Sequence, residues 1–311
     1  VTSMMMASHS AIAARCTIWR HAPAFLRATR GLVDVPLGRS RVRPDPASAR
    51  ASDAVLYEVA SGVATLTLNR PQNKNALSFE LVDALGDRLA AAQSDEAVRV
   101  IVLTNAGNTF CAGADLKGGA QQEPPRHTLA DVLDDIIVSP KPVIGRIAGH
   151  CTGGGVGLAA ATDISVLSDE ALMGFTEVRL GVCPAVISVV CLPKLRRADA
   201  SELFLSGERI TAARAVQVGL VNYAVPLATL DETVDAIVGK VVRGGPNALA
   251  ASKELVAKVP MMSRDAAFDW TAPLSAKLFK SAEAKEGITA FKERRDASWV
   301  PDKLKVGTGR A

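Results

Sequence analysis

A run of glycines, Gly153-Gly154-Gly155-Val156-Gly157, closes a stretch in which Pro140 to Ile147 reads as a buried strand. A strand ending in such a turn collects bare backbone N–H groups in one place, and several chemistries use them. Dinucleotide binding requires G-x-G-x-x-G, yet Leu158 stands where the frame opened by Gly153 and Gly155 needs its third glycine. The acidic residue due roughly 20 positions on would be Asp169, which belongs to a Ser-Asp-Glu turn. A phosphate-gripping loop would continue into Gly-Lys-Ser/Thr, and none is present there. A third use is to aim N–H groups at a carbonyl oxygen. A thioester's α-proton is weakly acidic, so an enzyme forming its enolate must stabilise charge on that oxygen, and each preorganised donor contributes about 3 to 4 kcal/mol in comparable sites. That chemistry needs a second donor and a carboxylate.

Other reactive residue types define no centre. The five cysteines (Cys16, Cys111, Cys151, Cys183, Cys191) form no CxxC pair, an odd number cannot all pair internally, and a reducing compartment fits them best. The histidines at 9, 21, 127 and 150 are scattered, so no metal cluster is proposed. Cys111 and Cys151 read as small buried hydrophobes, and His150 as a packed turn residue. No His/Asp constellation supports Ser188 as a nucleophile.

The elements that must position the glycines are legible on either side of them. Val55 to Ala60 and Val63 to Asn69 alternate around Ser61-Gly62 and predict a hairpin. Ser78 reads as the N-cap of a helix with Leu81, Leu85 and Leu89 on one face. Val98 to Thr104 is β-rich and leads to the turn Asn105 to Asn108. Gly118 to His127 lacks periodicity and reads as a loop. Asp131 to Val138 has helical spacing, Ile164 to Leu167 is a further β run, and helical patterns dominate from Ser201 on. Strands alternating with helices and then a helical tail predict an α/β fold with a helical appendage. The expected boundaries are an Arg-rich disordered extension over 1–52, a core over 53–245 and a helical region over 246–311.

Composition narrows the class. With 48% hydrophobic and 22% charged residues in 311, the chain can bury a sizeable core. A formal charge of +4 and 4% aromatic residues argue against a dedicated nucleic-acid binder. No apolar run reaches the roughly 18 to 20 residues of a membrane span. The first fifty residues carry eight arginines against Asp34 and Asp45, the composition of a transit peptide, which would place the protein in the mitochondrial matrix. The Ala/Val/Arg/Asp bias of the remainder looks bacterial and implies a cytoplasmic protein.

Several segments taken together resemble the enoyl-CoA hydratase/isomerase (crotonase) family: Leu66 to Pro71 with Asn75-Ala76-Leu77, Phe110 to Lys117, Ala148 to Ala159, Phe175 to Gly181, and Lys285 to Phe291. They occur in order with ordinary spacing over about residues 54 to 300. The resemblance implies a spiral of ββα turns with C-terminal helices that build a homotrimer or hexamer. It also implies an acyl-CoA thioester substrate, with CoA as part of that substrate, no separate cofactor, and neither DNA nor membrane as a partner. Position by position, it implies backbone donors at Ala114 and Gly154 and contacts to CoA from Lys74, Ala76, Ala112, Asp115, Leu116 and Lys117. Phe291 and Arg294 match positions that approach CoA in the assembled trimer, where a cation suits its phosphates.

The carboxylates decide the reaction. Family hydratases typically use two glutamates to add water across C2=C3. Glu177 matches the second, and the first falls on Gly157, which has no side chain. Glu123, Asp131 and Asp134 are the carboxylates available to replace it. The expected function is enoyl-CoA hydration in fatty-acid or branched-chain acyl-CoA metabolism, since Glu177 to Ser188 resembles bacterial hydratase-like members assigned to branched or methylglutaconyl-type esters. The alternatives are a Δ3,Δ2-enoyl-CoA isomerase, which needs only one glutamate, and a non-catalytic acyl-CoA- or RNA-binding member.

Overall fold

The computed structural model describes residues 54–116 and 124–304. The Arg-rich segment 1–52, Lys117 and Glu123 lie outside the described residues. The expected hairpin forms, with β1 (Val55–Ala60) antiparallel to β2 (Val63–Leu68). Ser61 and Gly62 both have positive φ, 53° and 80°, the left-handed pair whose twist matches a two-residue hairpin. Beyond a short turn at Pro71–Asn73, α1 (Phe79–Ser94) starts where Ser78 caps it, the Ser78 hydroxyl accepting from the Leu81 N–H at 3.3 Å. Leu81, Leu85 and Leu89 form its buried face, as their spacing requires.

Three turns of a ββα spiral come next. The first is β3 (Val100–Asn105), β4 (Thr109–Cys111) and α2 (Leu129–Val138). The second is β5 (Val143–Ile147), β6 (His150–Thr152) and α3 (Gly154–Ala161). The third is β7 (Ile164–Ser168), β8 (Leu172–Gly174) and α4 (Ala185–Cys191). In each turn the first strand enters one sheet and the second enters another. The chain then runs through α5 (Arg197–Ser206), β9 (Arg209–Thr211), α6 (Ala212–Gln217), β10 (Tyr223–Val225) and α7 (Leu230–Val241). The larger sheet has the order β1-β2-β3-β5-β7-β10, parallel from β2 onward, and the smaller is β4-β6-β8-β9. The helical reading from Ser201 on is therefore corrected at β9 and β10, whose three residues each are too few to show a period.

Every residue of β3 is buried, because the larger sheet is covered on both faces, as parallel sheets usually are. One face packs on α1, α2 and α3 through Leu66, Leu85, Ile101 and Ile136. On the other, Val102, Ile144 and Val166 meet Leu230, Val234 and Ile237 of α7. α2 begins two residues before its periodicity suggests, because Thr128 and Asp131 form a capping box.

Past the core lie α8 (Pro246–Lys258), α9 (Arg264–Phe279) and α10 (Ala282–Lys292). The carboxylate of Glu283 in α10 accepts from the N–H groups of Asn247 and Ala248, both at 2.9 Å, and so caps α8. α8 is fixed to the core by Lys253, whose Nζ lies 2.7 Å from Asp163 Oδ2 and 2.7 Å from the Ile136 carbonyl. Asp163 also accepts from the Val143 N–H at 2.7 Å. Burial pushes the Asp163 carboxyl up and the Lys253 amine down, each partly held back by the other. Removing one partner strands the other charge. Lys253→Ala should therefore destabilise the chain by about 2–4 kcal/mol in urea unfolding, somewhat below a fully enclosed pair because Asp163 keeps part of its carboxylate in water. The double variant Lys253→Met/Asp163→Leu should lose less than the sum of the single variants.

Candidate active site

Two backbone segments from different turns of the spiral meet at the C-terminal end of the smaller sheet. Residues 74–77 run beside residues 112–114: the Ala112 N–H donates to the Lys74 carbonyl at 3.0 Å and the Leu77 N–H to the Gly113 carbonyl at 2.8 Å. Asn75 holds this junction. It is fully buried with φ of 51°, its Nδ2 donates to the carbonyls of Ala106 and Thr109, and its Oδ1 accepts from the Arg70 N–H at 2.7 Å. Asn tolerates the left-handed region because its short amide can bond locally.

Gly113 has φ of +85°, and a Cβ on it would lie 2.8 Å from the Thr152 carbonyl and 3.4 Å from the Gly154 nitrogen. The segment carrying Ala114 is thus pressed directly on the start of α3. Gly153 caps that helix with φ 53° and ψ −121°, a conformation that a residue with a side chain would adopt only under strain. Gly154 is the first residue of α3, so its N–H has no intrahelical acceptor, and the positive end of the helix dipole adds to it.

A cleft of about 450 Å³ opens at this meeting point, lined by Ala112, Gly113, Ala114, Gly153, Gly154 and Glu177 together with many aliphatic side chains. Glu177 sits in the short helical turn Thr176–Leu180, which ends at Gly181 in the left-handed region. Its Oε1 would be 3.1 Å from a Cβ on Gly153, so the carboxylate stands beside the α3 terminus. Its Oε2 is sealed from solvent without a hydrogen-bond partner. Burial raises the Glu177 carboxyl above its ordinary value, only partly offset by its own backbone N–H.

The position of the first expected glutamate, Gly157, is crowded by hydrocarbon. A Cβ on Gly157 would fall 2.3 Å from Ile187 Cγ2 and 2.8 Å from its Cβ, so the α4 side chain occupies the volume that a residue at 157 would need. Of the three carboxylates available to replace it, neither described one lines the cleft. Asp131 caps α2 through the Thr128 N–H and hydroxyl, Asp134 is not among the residues lining the cleft, and Glu123 lies outside the described residues. Among the described residues, Glu177 is the one carboxylate lining the cleft.

Ala112 and Leu116 line the cleft, and Lys74, Ala76 and Asp115 lie on the same adjoining segments without lining it. Phe291 and Arg294 are exposed around the end of α10 and are not among the lining residues, and Lys117 is not described. His127 is a cleft residue that sequence reasoning misses. Its ring is wedged against Gly86 of α1, with Nε2 3.2 Å from Asp87 Oδ1, while its N–H donates to Asp83 and Arg126 bridges to Asp87 at 2.6 Å. Nothing in the sequence marks this contact, since its partners lie about 40 residues away. His150 accepts from the Leu172 N–H through Nδ1 at 3.0 Å, the packing role expected of it. Cys111 and Cys151 are buried, and desolvation pushes the Cys111 thiol up to about 12. The Ser188 hydroxyl donates to the Ala185 carbonyl of its own helix. Among the described residues no group of side chains could hold a metal.

A half-buried carboxylate next to two backbone loops, on a spiral of ββα turns, is the arrangement of the crotonase-like class of fold. The family model described as enoyl-CoA hydratase/isomerase matches residues 58–302, and the chain belongs to that family. A Thermus thermophilus protein provisionally named an enoyl-CoA hydratase is 35% identical over 242 residues, 75% of this chain and 95% of its own length. Enoyl-CoA hydratase EchA19 of Mycobacterium tuberculosis is 33% identical, covering 74% and 90%. A solved enoyl-CoA hydratase from Mycobacterium smegmatis superposes with a TM-score of 0.73 at 33% identity, covering 80% of this chain and 99% of that one.

Two stability measurements check this geometry. Because burial raises the Glu177 carboxyl, the folded chain holds its proton more tightly than the unfolded one, so ionisation lowers stability as pH rises from the ordinary 4.5 through the folded value. Glu177→Gln should accordingly melt at or above the parent temperature at neutral pH, with the difference vanishing below 4.5. A clearly lower melting temperature at neutral pH would contradict the unpartnered geometry. Gly157→Ala should cost about 1–3 kcal/mol from overpacking although alanine is the better helix former, and the cost should be smaller in an Ile187→Ala background, which lacks the Cγ2 methyl that lies closest.

Proposed function

We propose that the chain hydrates 2-enoyl-CoA thioesters, with the N–H groups of Ala114 and Gly154 holding the thioester oxygen and Glu177 as the sole acid–base group. The observation that carries this is the half-buried Glu177 carboxyl, raised by desolvation, with its Oε2 buried and unpartnered, beside the N-terminus of α3. As water adds to C3, its proton passes to Glu177 and negative charge develops on the thioester oxygen. There the two donors and the helix dipole oppose it in a water-poor cleft. The same carboxyl then returns a proton to C2, so that one molecule of water has been added. A carboxylate moved toward neutrality serves as both base and acid better than one at its ordinary value.

Lys74, Ala76, Ala112, Asp115, Leu116 and Lys117 contact CoA in this reading. Phe291 and Arg294 reach it in a homotrimer or hexamer, which suits the exposed apolar side chains Met261, Phe268, Phe279 and Phe291 on the C-terminal helical region. A cytoplasmic place in fatty-acid or branched-chain acyl-CoA metabolism belongs to the same reading.

One observation favours a second reading. With Ile187 in the place of a second carboxylate, the cleft resembles what a Δ3,Δ2-enoyl-CoA isomerase needs, a single base that moves a proton between C2 and C4. The chain incubated separately with 2-enoyl-CoA and 3-enoyl-CoA in heavy-oxygen water decides by mass spectrometry. Hydration puts the label into the product, whereas isomerisation interconverts the two esters without it. Binding with no turnover of either ester would leave only the acyl-CoA-binding role. Glu177→Gln should lower kcat by about 10² to 10⁴ with little change in the affinity for a saturated acyl-CoA, and unchanged kcat would remove Glu177 from the mechanism.

A further inference from the structure

The turn that carries Glu177 is gripped from its far side. Thr176, Glu177 and Leu180 line the cleft, whereas Phe175, Val178 and Arg179 do not. The second set has the i, i+3, i+4 spacing that puts side chains on one face of a helical turn, and all three meet the last turn of α5. Phe175 is 1% exposed, and its ring packs on that of Phe204 with centroids 4.3 Å apart. Gly207 ends α5 with φ of 63°, and a Cβ on it would lie 2.8 Å from Val178 Cγ2 and 3.1 Å from Arg179 Cγ. Arg179 Nε donates to the Ser206 carbonyl at 3.3 Å, where the end of a helix has carbonyls without intrahelical donors and favours a cation. The entry to the turn is fixed against the same segment. β8 pairs with β9 there, and a Cβ on Gly174 would be 3.0 Å from the Glu208 carbonyl oxygen.

The Glu177 carboxylate has little of its own to aim it. Oε2 is buried without a partner, and the favourable contact that offsets its burial comes from its own backbone N–H. A group held by few bonds takes its direction from the backbone that carries it, and that backbone is set by α5. A misplacement of about 1 Å at a reacting group can cost up to about 10²-fold in rate, so the contact has consequences for turnover.

We propose that Phe204 and Gly207, at the C-terminal end of α5, are positioning residues for Glu177: through Phe175, Val178 and Arg179 they hold its turn so that the carboxylate stands in the cleft and stays dry. This rests on the reading of Glu177 as the acid–base group and deepens it, by assigning the aim of that group to a helix that does not line the cleft.

The test follows kcat and, independently of turnover, the carboxyl itself. The Glu177 carboxyl carbon, labelled with carbon-13 and assigned by its loss in Glu177→Gln, is titrated by NMR in the full chain. In the parent, burial holds this carboxyl above its ordinary value. In Phe204→Ala the loosened turn should admit water, and the titration should move down toward the ordinary carboxylate range. kcat for the ester that the parent turns over should fall about tenfold or more, with the affinity for a saturated acyl-CoA changed by less than about twofold. Phe204→Tyr keeps the ring at a partly exposed position and should restore both. The charged and titratable groups around Glu177 are the same in every variant: Arg179 on its own turn, Cys191 of α4 with Lys194 beside it, and Cys183 and His127 on the cleft lining. A Glu177 titration that stays at the parental position in Phe204→Ala overturns the inference whatever happens to kcat, because lost packing alone lowers stability without wetting the carboxylate. A titration that moves while kcat holds overturns it as well, since the aim would then not matter to the reaction. Should Phe204→Ala fail to fold, Phe204→Leu, which leaves a smaller cavity, is read by the same criteria. A parent that turns over no ester removes the hydration and isomerisation readings alone, and the titration still decides whether α5 holds the carboxyl.

Discussion

The cleft depends on two stretches of backbone lying closer together than side chains allow. The carbonyl of Thr152 approaches Gly113 so closely that no Cβ fits between them, with the Gly154 nitrogen in contact beside it, and this brings the Ala114 segment to the first turn of α3. Other features near it are consequences. Asn75 is buried because something must tie residues 70–75 to the strand that feeds Ala114. The spiral itself makes the approach possible, since consecutive ββα turns stack β4, β6 and β8 as parallel neighbours and deliver their loops to one edge. A reaction that builds charge on a thioester oxygen gains from donors that do not reorganise, and backbone locked by sheet and helix on both sides is the least mobile donor a chain can supply.

The same rigidity explains why Glu177 stays unpaired. A flexible surface would let a lysine or a backbone amide swing in and neutralise it. Here the neighbouring turn residues are fixed by their own bonds, Gly181 and Val182 to the carbonyls of Val178 and Glu177, and the packed wall offers only hydrocarbon. The chain therefore bears a carboxyl that is only partly compensated in its folded state, with one oxygen buried and unpartnered. Stability for this is drawn from elsewhere, from a larger sheet covered on both faces and from the Lys253–Asp163 tie that holds α8 against the core. Sites that do acid–base work commonly carry such groups, and the surrounding fold tolerates them.

The features legible in the sequence are those that are local or periodic. Ser61-Gly62 names its own turn, Ser78 caps the helix that begins at Phe79, and the Leu81-Leu85-Leu89 face shows the helical period directly. The capping box of Thr128 and Asp131 is equally local, yet Asp131 also reads as a catalytic carboxylate, because an acidic residue after a Gly/Pro-rich stretch fits either use. The residues that are not legible pair across the chain. Asn75 bonds to carbonyls more than 30 positions away, Ile187 fills a space left at Gly157, His127 wedges against Gly86, and Lys253 meets Asp163. No spacing rule connects these partners, since the spiral alone brings them together.

The Gly157–Ile187 contact bears most on why the described cleft holds one carboxylate. A glycine alone would leave a hollow beside the reacting atoms, and water entering it could substitute for a lost side chain. That hollow is closed here by a β-branched residue from another helix, whose methyl group sits where any Cβ would go. The two positions are thus sterically exclusive, and neither can return to a larger residue unless the other shrinks. Among the described residues, the lack of a carboxylate at position 157 is therefore a packed feature of the fold, with the Ile187 side chain set against Gly157.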